Sequence, residues 1–381
     1  MSLTDDPASL SRLVIFGALA IGLVLGVVGQ ASRFCVRGAV ADWVELRRPG
    51  RMVAWLLAIA VGAVAVQGLI GFGLIDGTRV LSWSDRLVWL SALVGGLLFG
   101  AGMILAGGCP QRCLVKAGSG NLKAAATLLI VAIASAMTLR GLFATPRAEW
   151  LDRFSVSLGT PQDLGSLVAG ATGASPQAVR WTLAWLALAG VLTLGWRLRR
   201  AVGKGDWVGG ILVGLLVAAA LYLTGNIGFL PEHPETLEPA WLGTQSRRPE
   251  GLSFAAPMAH ALDLLTLWTD NSMVATFGVM LAVGVLVGAA VSARLRGEFR
   301  LESFRSPGEV GSHTAGAMLM GFGGVTALGC SIGNGVTGMA MLSSGALLAT
   351  AGIVAGAWVV LRWRQRGQLV ARPAAGALRA G

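Results

Sequence analysis

Apolar residues fall in long runs separated by short polar stretches. The runs cover about 13–31, 52–74, 87–107, 122–143, 181–198, 207–223, 273–291, 314–327 and 338–361. Most have the ~20 residues needed to cross ~30 Å of hydrocarbon. They predict an all-α polytopic membrane protein with about nine transmembrane helices. Two longer polar stretches, 144–179 and 224–257, carry several prolines and read as loops outside the membrane. A short interfacial helix is expected over 260–269.

The polar stretches alternate in character. Arginine and lysine gather after the first, third, fifth, seventh and ninth runs; proline and glutamate gather after the fourth and sixth. Basic loops stay on the cytoplasmic side, so the N-terminus is expected outside and the C-terminus inside. The opening Met1-Ser-Leu-Thr-Asp-Asp-Pro7 is acidic, not basic, which argues for a retained first span rather than a cleaved signal.

One segment occurs twice. Gly100-Ala-Gly-Met-Ile-Leu-Ala-Gly-Gly-Cys109 and Gly321-Phe-Gly-Gly-Val-Thr-Ala-Leu-Gly-Cys330 agree at five of ten positions. A weaker match aligns Gly29–Gly38, which contains Cys35, with Gly288–Gly297, which puts Arg294 opposite Cys35. These repeats predict two pseudo-symmetric halves, 13–143 and 273–362, joined by 144–272 within a single membrane domain 1–381. Half one has one span more between its two motifs than half two, and that extra span reverses direction, so the two Gly-Cys segments approach from opposite faces. Their cysteines meet only if both segments stop or re-enter near the midplane, as short re-entrant or loop helices do; glycine suits such breaks.

Composition sharpens this picture. The 381 residues are 54% hydrophobic and 13% charged, which excludes an ordinary soluble domain. The net charge of +11 is accounted for by loop topology, and no nucleic-acid surface is expected. Many of the 13 tryptophans stand near span ends, as in an aromatic belt.

Four cysteines are too few for a disulfide framework. Three sit in glycine-rich, charge-flanked motifs, and thiols suit a ligand that exposes soft sulfur. Helix breaks offer unpaired N–H groups that favour an anion. Together they suggest a small sulfur oxyanion such as thiosulfate. The expected path residues are Cys35, Cys109 and Cys330, with Cys113, Arg37, Arg112, Gly108, Gly329 and Asn334 as accessory candidates. The spacing Cys109-x₃-Cys113 is a poor zinc motif and the three histidines are scattered, so neither metal nor cofactor is expected. A membrane thiol–disulfide oxidoreductase and a purely structural membrane protein remain alternatives on these residues alone.

Three motifs carry a resemblance: Gly29–Gly38 with Cys35, Gly107-Gly-Cys-Pro-Gln-Arg112 with Cys109, and Gly329-Cys-Ser-Ile-Gly-Asn334 with Cys330. Here the chain resembles the YeeE/YedE family of bacterial inner-membrane sulfur-compound transporters. The resemblance implies an hourglass of about nine spans, thiosulfate uptake, and Cys35, Cys109 and Cys330 as relay thiols. Other branches handle different sulfur or selenium species. It also implies a separate TusA-like sulfur-carrier protein as partner, since no such domain follows Arg366.

Overall fold

A computed structural model describes residues 6–270 and 273–370; most of the acidic N-terminal stretch lies outside the described residues. The chain is helical almost throughout. α1 (Pro7–Ala31) is followed by the short α2 (Val36–Ala41), which continues as a π-turn over Asp42–Leu46. Then come α3 (Gly50–Gly71), α4 (Trp89–Leu105), α5 (Pro110–Gly118) and α6 (Leu122–Arg140). The polar section that follows holds α7 (Ala144–Pro146) and α8 (Leu164–Thr172). α9 (Pro176–Arg197), α10 (Lys204–Tyr222), α11 (Ala256–Thr266), α12 (Phe277–Leu295), α13 (Pro307–Thr326) and α14 (Ser344–Val370) complete the chain. Two-residue strand pairs, Arg86–Leu87 with Val156–Ser157 and Phe229–Leu230 with Ala240–Trp241, clip the loops together.

Among the described residues eight helical segments are long and apolar enough to cross a membrane. α13 is a further helix of 20 residues, with Glu309 and His313 in its first two turns. The multi-pass all-α expectation holds, and the boundaries shift at breaks. The last run begins at Ser344 rather than 338, because residues 333–338 form a separate π-turn.

Lipid supplies no hydrophobic drive between helices, so backbones must come close enough for dispersion and weak polar contacts to hold them. Glycine pairs four apart do this at two long interfaces. Gly22 and Gly26 of α1 lie against Gly284 and Gly288 of α12; Gly96 and Gly100 of α4 lie against Gly352 and Gly356 of α14.

The packing pairs elements in a crossed pattern. α1 packs on α12 as α10 packs on α3; α4 packs on α14 as α13 packs on α6; α2 meets α14 as α11 meets α6. α2 therefore has its packing counterpart in α11. The alignment of Cys35 with Arg294 does not survive, because Arg294 ends α12 and stacks over the Phe299 ring, 4.6 Å from its centroid. That match rested on the composition of two basic loops. The helix expected at 260–269 is also different in kind. α11 begins earlier, and its first turn, with Pro257, Met258 and Ala259, is buried.

A side chain at Gly100 would run into the Ile353 backbone, whereas one at Gly190 of α9 meets nothing within 4 Å. Gly100→Val is expected to cost roughly 3 kcal/mol or more. In detergent its thermal midpoint should fall well below that of Gly190→Val. Equal midpoints would contradict the packing described.

Candidate functional site

Three helices end in the same way. Each closes on a residue in the left-handed region, and a cysteine follows two positions later: Arg33 (φ 57°) before Cys35, Gly107 (φ 71°) before Cys109, Leu328 (φ 57°) before Cys330. Glycine takes this conformation freely, whereas Arg33 and Leu328 bear a local cost of about 1–2 kcal/mol. After each turn a new helical segment starts inside the protein, at Val36, Pro110 and Gly333. α11 is the fourth such start, at Ala256.

The breaks bring the sequence-predicted thiols together. Cys35, Cys109 and Cys330 are all buried. The Cys35 and Cys109 side chains are within hydrogen-bonding reach of each other, and Cys109 lies beside Ser331, the neighbour of Cys330. The four cysteines are free.

Backbone donors hold two of these thiols as acceptors. Gly38 N–H donates to Cys35 Sγ at 3.3 Å, so this thiol caps α2. Cys330 Sγ accepts from Gly333 N at 3.4 Å and from Phe254 N at 3.3 Å. The second donor belongs to the segment leading into α11, so the fourth half-helix contributes to the cluster through its backbone. A sulfur that accepts N–H bonds keeps its own proton free to donate. The converging helix starts add partial positive charge, which favours an anion.

Cys113 takes a different part. Its thiol donates to Gly108 O at 3.7 Å, while Asn334 Nδ2 donates to Gly329 O at 2.9 Å. Both residues stand four after a relay-candidate cysteine, and both tie the carbonyl of the glycine before it. Cys113 is thus the positional mate of Asn334, a clamp on the break. Asn334 Nδ2 also bonds Ala327 O at 2.9 Å, and Lys116 Nζ ties Gly107 O at 2.8 Å.

Cavities lie on either side of the cluster. At the end where the basic residues gather, one of about 560 Å³ is lined by Arg33, Arg51, Arg112, Lys116 and Arg300. A neighbour of about 320 Å³ is lined by Arg37, Cys113, Lys116 and His313. Arg112 also donates to Gly29 O at 3.0 Å, fixing its place at the rim. On the other side, a cavity of about 220 Å³ is bordered by Leu252, Ser253, Gly333, Asn334 and Glu250. The accessory candidates thus divide. Arg37 and Arg112 line the basic cavities, Gly108 and Gly329 supply the clamped carbonyls, and Asn334 clamps one break from beside the third cavity.

Sequence reasoning missed Ser331, the Phe254 N–H and the inward start of α11. The first was readable only as a hydroxyl beside Cys330; the other two leave no side-chain signal. Among the described residues there is no cluster of His, Cys, Asp and Glu able to hold a metal ion.

Burial pushes the Glu250 carboxyl above its usual value of 4.5, against a hydrogen bond from Ser246 N that pulls it down. A carboxyl raised in the folded state stabilises most when protonated. That contribution is complete below the unfolded value and is lost as pH rises through the folded one. Glu250→Gln should therefore raise the thermal midpoint near pH ~7 and flatten the gain seen on acidification toward pH ~5. An unchanged pH slope in the variant would contradict this.

Against this geometry, comparison with known proteins is specific. A family model described as sulphur transport matches residues 31–359. The thiosulfate transporter TsuA of Escherichia coli (strain K12) is 28% identical over 384 residues, covering 95% of this chain and 99% of that protein. TsuA of Spirochaeta thermophila is 26% identical over 354 residues, covering 91% and 98%. A probable transporter, YedE of Escherichia coli (strain K12), matches over 107 residues at 26% identity, covering 28% and 24%. The chain belongs to the sulphur transport family, a family of membrane transporters rather than enzymes.

Proposed function

We propose that the protein carries thiosulfate, or a closely related small sulfur-containing anion, inward across the bacterial inner membrane along a central path lined by Cys35, Cys109 and Cys330. The observation that carries this reading is the adjacency of those thiols: Cys35 against Cys109, and Cys109 against the residue next to Cys330, in a buried septum with cavities on both sides. The substrate follows from similarity over nearly the whole chain to two proteins named as thiosulfate transporters.

Chemically, the anion needs two kinds of partner. Its sulfur end is met by thiol S–H donors, freed for this because the sulfurs of Cys35 and Cys330 take their own hydrogen bonds from backbone N–H groups. Its charge is met by the helix starts, and at the basic end by Arg33, Arg51, Arg112 and Lys116. The ion passes from thiol to thiol by S–H···S contacts without a large movement of the helices. The alternation of basic loops supports an outside N-terminus and a cytoplasmic C-terminus, so the basic cavities face the cytoplasm. There a separate TusA-like carrier would receive the sulfur. The chain forms one membrane domain of two crossed halves.

Uptake of radiolabelled thiosulfate into proteoliposomes tests the assignment. Cys109→Ala and Cys330→Ala should abolish uptake, and Cys35→Ala should reduce it at least tenfold; all three should fold and insert, with a lowered thermal midpoint in Cys35→Ala and Cys330→Ala because backbone N–H groups lose their sulfur acceptors. Cys113→Ser, which preserves the clamp on Gly108, should transport at close to the wild-type rate. Wild-type rates in Cys109→Ala or Cys330→Ala would sink the relay.

A further inference from the structure

Ser331 is fully buried, and its hydroxyl makes no well-formed hydrogen bond, although the Cys109 thiol is within reach of it. It stands beside the Cys109 thiol and is the chain neighbour of Cys330. A buried hydroxyl without a partner is costly, and proteins seldom leave one idle. This protein satisfies others by a local route: Thr138, Thr224 and Thr326 each donate to the carbonyl four residues back, at 2.7–2.9 Å. The equivalent acceptor for Ser331 is Ala327 O, which is already taken by Asn334 Nδ2. Nor does the break depend on Ser331, since Asn334 and the Cys330 thiol tie it. Ser82, Ser135, Thr276 and Thr350 also lack partners. What sets Ser331 apart is its place between two thiols.

We propose that Ser331 is a specificity-determining residue of the path: its hydroxyl donates to an oxygen of the anion while Cys109 and Cys330 hold the sulfur end. The proposal rests on the transport reading above and adds a contact to it. A thiosulfate-like ion has one soft sulfur and hard oxygens. Thiols are weak donors and address the first; a hydroxyl is the stronger donor and addresses the second. Three groups of two kinds along one short stretch read both ends of the ion as it passes.

Two substitutions test this in proteoliposomes. Ser331→Ala deletes a hydroxyl with no well-formed hydrogen bond to the protein and only the weakly accepting Cys109 thiol in reach, so its thermal midpoint should stay close to the wild-type value. Its KM for thiosulfate should rise on the order of tenfold or more, the effect of losing a hydrogen bond to a charged group, with a smaller change in maximal rate. Ser331→Cys, which restores a weaker donor of similar size, should fall between. An unchanged KM in Ser331→Ala overturns the proposal while Cys109→Ala still reports on the relay. A KM that rises only together with a lowered midpoint in both variants also overturns it, because the hydroxyl is then structural. Wild-type liposomes that take up no thiosulfate would instead sink the transport reading itself.

Discussion

Four helical segments begin in the middle of this protein, and each start leaves backbone N–H groups that its own turns cannot satisfy. In a membrane interior no water is at hand to do so, and irregular backbone survives only where protein or a polar cavity surrounds it. Much of the central architecture answers that constraint. Thiol sulfur accepts at Gly38, Gly333 and Phe254. The outgoing carbonyls of the breaks are taken by Cys113, Asn334 and Lys116. The sulfurs of Cys35 and Cys330 therefore serve the fold: as acceptors they quiet helix starts, and their protons remain available to donate.

That use as acceptors separates Cys35 and Cys330 from Cys113. Cys113 spends its proton on Gly108 O, inside the turn. It thereby matches Asn334, a residue with no sulfur at all. Spacing from the preceding cysteine, rather than residue type, is the shared feature. A reading that counts cysteines groups Cys113 with the others; a reading that follows hydrogen bonds groups it with Asn334.

Much of this was legible in the chain. Apolar runs gave the spans because hydrocarbon thickness fixes their length. The doubled Gly-Cys segment pointed to helix breaks before Cys109 and Cys330, where Gly107 and Leu328 take left-handed turns. What was not legible has physical reasons. Arg33 and Leu328 adopt left-handed turns that sequence rules assign to glycine, and tertiary packing holds them there. α11 looked interfacial because Asp263 and His260 make its outer half polar, where Arg140 pairs with Asp263. Its buried start is marked only by Pro257. The Gly288–Gly297 match was misleading because short basic loops share glycine and arginine for reasons of topology alone.

The fourth start also resolves the symmetry. A third thiol without a mate looked like a missing partner for Cys35. In the packing, the mate of α2 is α11, and the segment leading into it offers a backbone N–H, from Phe254, to Cys330. Half the structure thus places a thiol where the other half places a donor to a thiol. Two N–H groups fix that sulfur, while its neighbour Ser331 lies against the Cys109 thiol. The two ends of the cluster are then chemically unlike, with Cys35 flanked by Arg37 and Arg112 and Cys330 flanked by backbone N–H and hydroxyl. Donors are thus graded along the cluster, weak thiols at the centre and charged groups at the basic end.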